Sequence, residues 1–299
     1  MPPTRDEIVE KAKGCAGLVT LLTDPIDSLL IQSLPDLKAI AQYAVGFDNI
    51  DVKFATSQGI VVTNTPGVLT ETTADLTWAL IMAAARGIPQ ADRYVKEGKW
   101  KVGWGPMMLL GNDVYGATLG VIGMGRIGSA VAHRAKGFSM KILYTDTFEN
   151  ETTRSVEKEI GATRTDLETL LREADIVTIH VPLNPETRGM IDEKELATMK
   201  PGAVLVNTSR GAVISEFALA DALRSGHLRG AGLDVFNEEP LPADSPLLKL
   251  QNIILTPHIA SASFATRARM ATMCAENLIA ALKRERPPNI VNPEVFDVD

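Results

Sequence analysis

The chain has 299 residues, of which 45% are hydrophobic and 22% charged, and a formal net charge of −7. That length allows two domains with sizeable cores, and the composition excludes a disordered or fibrous chain. The acidic balance, without any Lys/Arg run, argues against a nucleic-acid partner, because neutralising phosphates needs a clustered basic face.

In chain order, the polar segment from Met1 to Gly14 lacks the apolar stretch of a signal peptide. Gly17–Leu22, Lys38–Ala41 and Ile60–Thr63 then read as strands with helical segments between them. Glu71–Ala85 reads as one long apolar helix with Thr72 and Thr73 at its start. Its near-uncharged part, Leu76–Ala85, is too short to span a bilayer. A Gly- and Trp-containing loop, Trp100–Gly111, leads to a second series of strands: Thr118–Ile122, Lys141–Thr145, Ile176–Val181, Ala203–Asn207, Ala231–Val235 and Ile253–Thr256. Arg126–Gly137, Glu193–Met199 and Glu216–Ser225 are helices among them, and an amphipathic helix, Ser263–Arg284, stops before Pro287-Pro288. This alternation predicts parallel α/β architecture. It gives a dinucleotide-binding domain over 71–260 and a second domain over 1–70 plus 261–299, built from both chain ends. The two cysteines, Cys15 and Cys274, have no metal or disulfide spacing and both read as buried reduced thiols; no metal site is expected. The expected location is the cytoplasm, with no membrane partner.

The strongest local signal is the strand Thr118–Ile122 running into Gly123-Met124-Gly125-Arg126-Ile127-Gly128 and then a helix. In such a turn the first glycine permits the bend, the second lets backbone N–H groups approach a pyrophosphate, and the third lets helix pack on strand. A tight turn without a ligand has the same local pattern. The acidic Asp146 at the end of the next strand, where a ribose hydroxyl is held, favours the nucleotide. Asp146 alone also reads as a solvated loop carboxylate.

The chain has 4 histidines. His133 reads as a helix-surface residue, His180 as a satisfied, partly buried one and His227 as a solvated helix exit. His258 directly follows a strand, where doubly wound sheets line their ligand crevice; position alone leaves it open between catalyst and ordinary loop residue. Arg210 and Glu239 follow two other strands, and each by itself reads as a surface charge. Together the three supply what carbonyl reduction requires: a fork for a carboxylate, a proton donor, and a carboxylate to orient that donor.

Here the sequence resembles the D-isomer-specific 2-hydroxyacid dehydrogenases over nearly its whole length. The likeness rests on Val45–Asp51, Asn64–Thr70, Gly123–Gly128, His180–Leu183, Asn207–Gly211, Ala231–Val235 and Thr256–Ser261. Within the family it is similar to the glyoxylate/hydroxypyruvate reductase branch, through Thr65–Ala74 and Trp100–Trp104. The resemblance implies a Rossmann-type doubly wound parallel sheet domain plus a smaller flavodoxin-like α/β domain. It implies His258 as acid/base, Glu239 as its partner and Arg210 as carboxylate anchor, with the N–H groups of Val45 and Gly46 also receiving the substrate carboxylate. Asp234 then holds the nicotinamide amide. Val181, Thr187, Thr208, Ser209, His258 and Ala260 line the cofactor with the glycine turn. NADH is expected ahead of NADPH, because Asp146 opposes a 2′-phosphate and Thr147 stands where NADPH users tend to carry arginine; Arg154 is near enough in sequence to admit NADP. A homodimer joined through the dinucleotide domains is also implied.

Relatives oxidising formate have Gln where Glu239 stands, those oxidising phosphite have Lys where Val45 stands, and the large phosphoglycerate branch carries an additional regulatory region. Two departures stand out. Relatives begin about thirty residues earlier, which implies a reduced small sheet, a compensating partner contact or a late start codon. Met108 stands where the reductase branch often has tryptophan. The competing readings are a reductase for a bulkier 2-oxo acid and a dinucleotide-sensing corepressor.

Overall fold

The computed structural model describes residues 3–147 and 151–296, and the chain divides into two compact units, Met1–Leu69 with Ser261–Asp299, and Thr70–Ala260. In the first unit, α1 (Arg5–Ala12), β1 (Gly17–Thr20), α2 (Ser28–Gln32), β2 (Ala39–Gln42), α3 (Val52–Ser57) and β3 (Val61–Thr63) alternate. The strands form a parallel sheet in the order β1-β2-β3. The short helices are fixed by side chains at their starts: Thr4 and Glu7 form a capping box on α1, while Asp27 and Asp51 accept from Leu30 N–H and Phe54 N–H. The strand expected to reach Leu22 ends at Thr20, because Leu21 N–H turns to the Asp24 carboxylate at 2.7 Å.

The second unit opens with α4 (Thr70–Arg86) and α5 (Ile88–Lys96), and a segment without helix or strand then leads to β4 (Thr118–Ile122). There follow α6 (Arg126–Ala135), β5 (Lys141–Thr145), α7 (Glu151–Ile160), β6 (Thr163–Arg164), α8 (Leu167–Glu173), β7 (Ile176–Ile179), α9 (Glu193–Thr198), β8 (Val204–Asn207), α10 (Glu216–Arg224), β9 (Gly230–Leu233) and β10 (Ile253–Leu255). The seven strands are all parallel, in the order β10-β9-β8-β7-β4-β5-β6. Numbered within the unit this is the doubly wound 3-2-1-4-5-6 order with one strand added, and its direction reverses between β4 and β7. Side chains alternate between two cores: Leu119, Val121, Ile142, Tyr144, Val204 and Val206 lie on one face, Ile122, Leu143, Val177, Ile179 and Leu205 on the other. Helix α4 buries Thr73, Ala74, Thr77, Trp78, Ile81, Ala84 and Ala85 at helical spacing, and a Cβ on Gly232 of β9 would lie 2.9 Å from Leu80 Cβ, so the helix rests closely on the sheet.

The strand expected to reach Val181 ends at Ile179, just before Pro182, which has no N–H to pair. Finally α11 (Phe264–Leu282), capped by Ser263, returns to the first unit and packs on β1, β2 and β3, where Leu278 Cδ1 would be 2.9 Å from a Cβ on Gly17. Among the described residues no helix is long and apolar enough to cross a membrane. None of their His, Cys, Asp and Glu side chains cluster to hold a metal ion, and of the two cysteines expected to be buried, Cys274 on α11 is, whereas Cys15, between α1 and β1, is exposed.

Candidate active site

The glycine turn leaves the carboxyl end of β4, beside the reversal of strand order. Gly123 has φ +91°, and a Cβ there would stand 2.9 Å from the His180 carbonyl carbon and oxygen. A Cβ on Gly128 would stand 2.0 Å from the Gly123 oxygen, so α6 can approach β4 only at glycine. A Cβ on Gly125 would meet nothing within 4 Å, and Gly125 caps α6 without any side-chain bond. The N–H groups of Arg126, Ile127 and Gly128 donate to no described residue. Three vacant donors at a helix start, beside an open glycine, suit a pyrophosphate. Met124 is buried in the core and Ile127 packs against it, so these two contribute backbone. Met124 N–H donates to Asp146 Oδ2 at 2.7 Å, and Arg164 donates to the Asp146 carbonyl at 2.8 Å.

Three strand ends carry the polar groups. After β10, His258 adopts φ +52°, its N–H donating to Asp234 O at 2.9 Å and to Thr256 O at 3.0 Å. Its Nδ1 lies 2.7 Å from Glu239 Oε2, with the two side chains 29% and 30% exposed. A carboxylate can only accept, so Nδ1 carries hydrogen, and Nε2 is left to exchange a proton. Burial pushes the Glu239 carboxyl up. The His258 hydrogen bond and charge, the Phe236 N–H at 2.9 Å and the Arg210 charge outweigh burial and hold it below its ordinary value. Arg210 follows β8, where Asn207 fixes the loop: Asn207 Nδ2 donates to Arg210 O at 2.8 Å, and Asn207 Oδ1 accepts from Ser209 N and Oγ at 2.9 and 2.8 Å.

The chain matches the model of the D-isomer specific 2-hydroxyacid dehydrogenase NAD binding domain over residues 78–260. It is 61% identical over 297 residues to a glyoxylate reductase of Korarchaeum cryptofilum, covering 99% of this chain and 89% of that one. The chain belongs to the D-isomer specific 2-hydroxyacid dehydrogenase family. Among solved structures it is similar to a glyoxylate reductase from Paecilomyes thermophila (TM-score 0.86, 34% identity, covering 97% and 89% of the two chains). It is also similar to an NADPH-dependent glyoxylate/hydroxypyruvate reductase from Sinorhizobium meliloti in complex with NADP and malonate (TM-score 0.86, 33% identity, covering 96% and 87%). As a member of this family the chain takes a nicotinamide dinucleotide.

In this dehydrogenase the other candidate residues divide by what their polar groups already do. Asp234, wholly buried, accepts from Thr256 Oγ1 at 2.7 Å, Ile259 N at 2.9 Å and Ala260 N at 2.7 Å. It thereby shapes the loop that presents His258 and Ala260, and burial pushes its carboxyl up despite those bonds. Thr187 closes its own turn, donating to Pro182 O at 2.6 Å, and Val181 packs against the core. Thr208 is buried 2.9 Å from Thr77 Oγ1, which itself donates to Thr73 O at 2.8 Å. Thr77 has one proton, so it must accept from Thr208, whose oxygen then offers only lone pairs. In the first unit the N–H groups of Val45 and Gly46 donate to no described residue.

Sequence reasoning missed Asn207 and Thr77 as supports. Asn207 carried a weak signal as the polar end of an apolar strand; Thr77 carried none within the apolar run of α4. Of the remaining histidines, His180 bonds Thr178 Oγ1 at 2.9 Å and burial pushes it down to about 3. His133 bridges Glu159 at 3.0 Å and Ser129 O at 2.8 Å, which raise it. His227, expected to be solvated, instead reaches Leu196 O at 3.1 Å.

Proposed function

We propose that the chain reduces glyoxylate to glycolate or hydroxypyruvate to the D-2-hydroxy acid, with His258 as proton donor, Glu239 as its orienting partner and Arg210 as the anchor of the substrate carboxylate. The observation that carries this reading is the 2.7 Å pairing of His258 Nδ1 with Glu239, which leaves the far ring nitrogen as the proton donor. Arg210 bears a planar fork suited to a carboxylate, and its charge beside the adjacent carbonyl polarises that group. The N–H groups of Val45 and Gly46 are given the same carboxylate. A bound nicotinamide dinucleotide supplies the hydride. As the carbonyl carbon gains that electron pair, the oxygen takes the proton from His258 Nε2; Glu239 stabilises the positive ring before this transfer, the ring becomes neutral with it, and a solvent proton then restores Nε2.

NADH is proposed as the preferred cofactor, since Asp146 sits beside Met124 at the glycine turn and its carboxylate opposes a 2′-phosphate. A homodimer through the dinucleotide-binding domain is proposed as well; exposed Trp100, Trp104, Met107, Leu109 and Leu110, close together in sequence, support a partner surface there. Oxidation of NADH followed by its absorbance, with glyoxylate and hydroxypyruvate as substrates, tests the activity. Turnover of neither, by a protein that binds NADH, overturns the reading. Light scattering tests the dimer.

A further inference from the structure

The candidate carboxylate receptor, Val45-Gly46, lies in a loop after β2 in which the carbonyls of Ala44, Val45 and Gly46 are held from within the first unit. Gln42, the last residue of β2, is wholly buried. Its Oε1 accepts from Thr20 Oγ1 at 2.6 Å, and its Nε2 donates to Gly46 O at 3.2 Å and to Asn49 Oδ1 at 2.8 Å. Asn49 continues the chain, its Nδ2 donating to Leu21 O at 3.0 Å and Asp24 O at 2.9 Å. Those two carbonyls fix which end of Asn49 is nitrogen, and Asn49 Oδ1 then fixes Gln42. From the end of β3, Asn64 Nδ2 donates to Val45 O at 2.7 Å and Thr65 N–H donates to Ala44 O at 2.8 Å. Three successive carbonyls, of Ala44, Val45 and Gly46, are therefore each engaged, while the N–H groups of Val45 and Gly46 donate to no described residue. Adjacent free N–H groups on a loop that cannot turn over form an anion receptor that needs no reorganisation when its ligand arrives.

We propose that Gln42 and Asn64 are positioning residues for the reaction: by pinning the carbonyls of Gly46 and Val45 they hold the two N–H groups ready for the substrate carboxylate. This rests on the functional reading above. Both side chains are neutral, so their loss changes the loop without changing the field on the substrate. That separates them from Arg210, whose removal takes away a charge.

The test compares wild type with Asn64→Ala and Gln42→Met, measuring kcat, KM for glyoxylate, the inhibition constant of oxamate (an unreactive analogue of a 2-oxo acid) and NADH affinity. The expected result is a KM and an oxamate constant raised together about 10-fold, with kcat at saturation and NADH affinity within about twofold. Unchanged KM and oxamate constants overturn the proposal. So does a loss falling equally on kcat and NADH binding, since that marks general damage. If Gln42→Met does not fold, Asn64→Ala decides alone, because it removes one half-buried contact and leaves the backbone bonds of residue 64 in place. If wild type turns over no 2-oxo acid, the functional reading fails separately. Oxamate titrated into NADH-loaded wild type and Asn64→Ala then tests the positioning: binding about 10-fold weaker in the variant supports it, and equal binding overturns it.

Discussion

Replacing Glu239 by glutamine isolates one quantity, the charge that faces His258. Glutamine keeps an oxygen able to accept from Nδ1, so ring orientation and tautomer survive while the negative charge goes. At the 2.7 Å separation found here, two unit charges attract by about 1.5 kcal/mol even in the dielectric of water, and partial burial strengthens this. That energy corresponds to about 10-fold in rate. The sign follows from the direction of the reaction. Reduction needs the proton on Nε2, and the negative charge of Glu239 favours the ring that carries it. Loss of that charge therefore lowers kcat for reduction. At the acid end the wild-type pair persists below the ordinary carboxylate range, because the His258 bond and charge, the Phe236 N–H and Arg210 outweigh burial at Glu239. The assay is kcat at saturating NADH and glyoxylate for both proteins. An unchanged kcat in a folded Glu239→Gln enzyme refutes the argument and leaves Glu239 as a packing residue.

His258→Ala lowers kcat about 10²- to 10⁴-fold with NADH affinity little changed; stopped-flow and fluorescence titration together check this, and near-normal turnover removes His258 from the mechanism. Arg210→Lys loses the planar fork, so steady-state kinetics should give both a higher KM for glyoxylate and a lower kcat, whereas a defect confined to NADH moves Arg210 to the cofactor. Asp146→Ser with Thr147→Arg shifts kcat/KM toward NADPH, and wild-type efficiency that is equal or better with NADPH overturns the NADH preference, with Arg154 then the first residue to test. Gly128→Ala sets a methyl 2.0 Å from the Gly123 oxygen, so differential scanning calorimetry should show a lowered Tm and titration a weakened NADH affinity, unless α6 can retreat from β4.

The parts of the fold legible in the sequence were those set by local pattern. The strands Thr118–Ile122 and Lys141–Thr145 match their expected bounds because their short, mostly apolar runs in a covered parallel sheet end at glycine and at acid. β6 was not legible: Thr163 and Arg164 are both exposed, with no apolar signal, and are strand only because Tyr144 and Leu143 pair with them. The glycine turn was readable because backbone geometry, not side-chain chemistry, dictates its residues. His227 was misjudged because its acceptor, Leu196 O, is 31 residues away and nothing in Ser-Gly-His-Leu announces it. The candidate residues His258, Glu239 and Arg210 were picked out as a set after three strands, and the family resemblance assigned their roles. What holds them was hidden, since it consists of contacts between distant loops.

Those hidden contacts share one physical form. Gln42, Asn64, Asn207 and Asp234 each stand at or just beyond the end of a strand, and each makes at least one hydrogen bond to the backbone of a loop that carries candidate site residues. Gln42, Asn207 and Asp234 are wholly buried, where an unpaired polar group costs about 1–3 kcal/mol. A loop conformation that breaks such a bond therefore bears that cost directly, with no water to replace the partner. The sheet supplies the rigid end of each bond, because the strand residue cannot move without breaking its ladder. Loops that would otherwise be the most mobile part of an α/β unit are thus held to single conformations. The groups not so engaged are the ones proposed to meet a ligand: the N–H groups of Val45, Gly46, Arg126, Ile127 and Gly128, and the far nitrogen of His258. In this chain the division between buried partners and unengaged donors separates the residues that hold the site from the residues proposed to act in it.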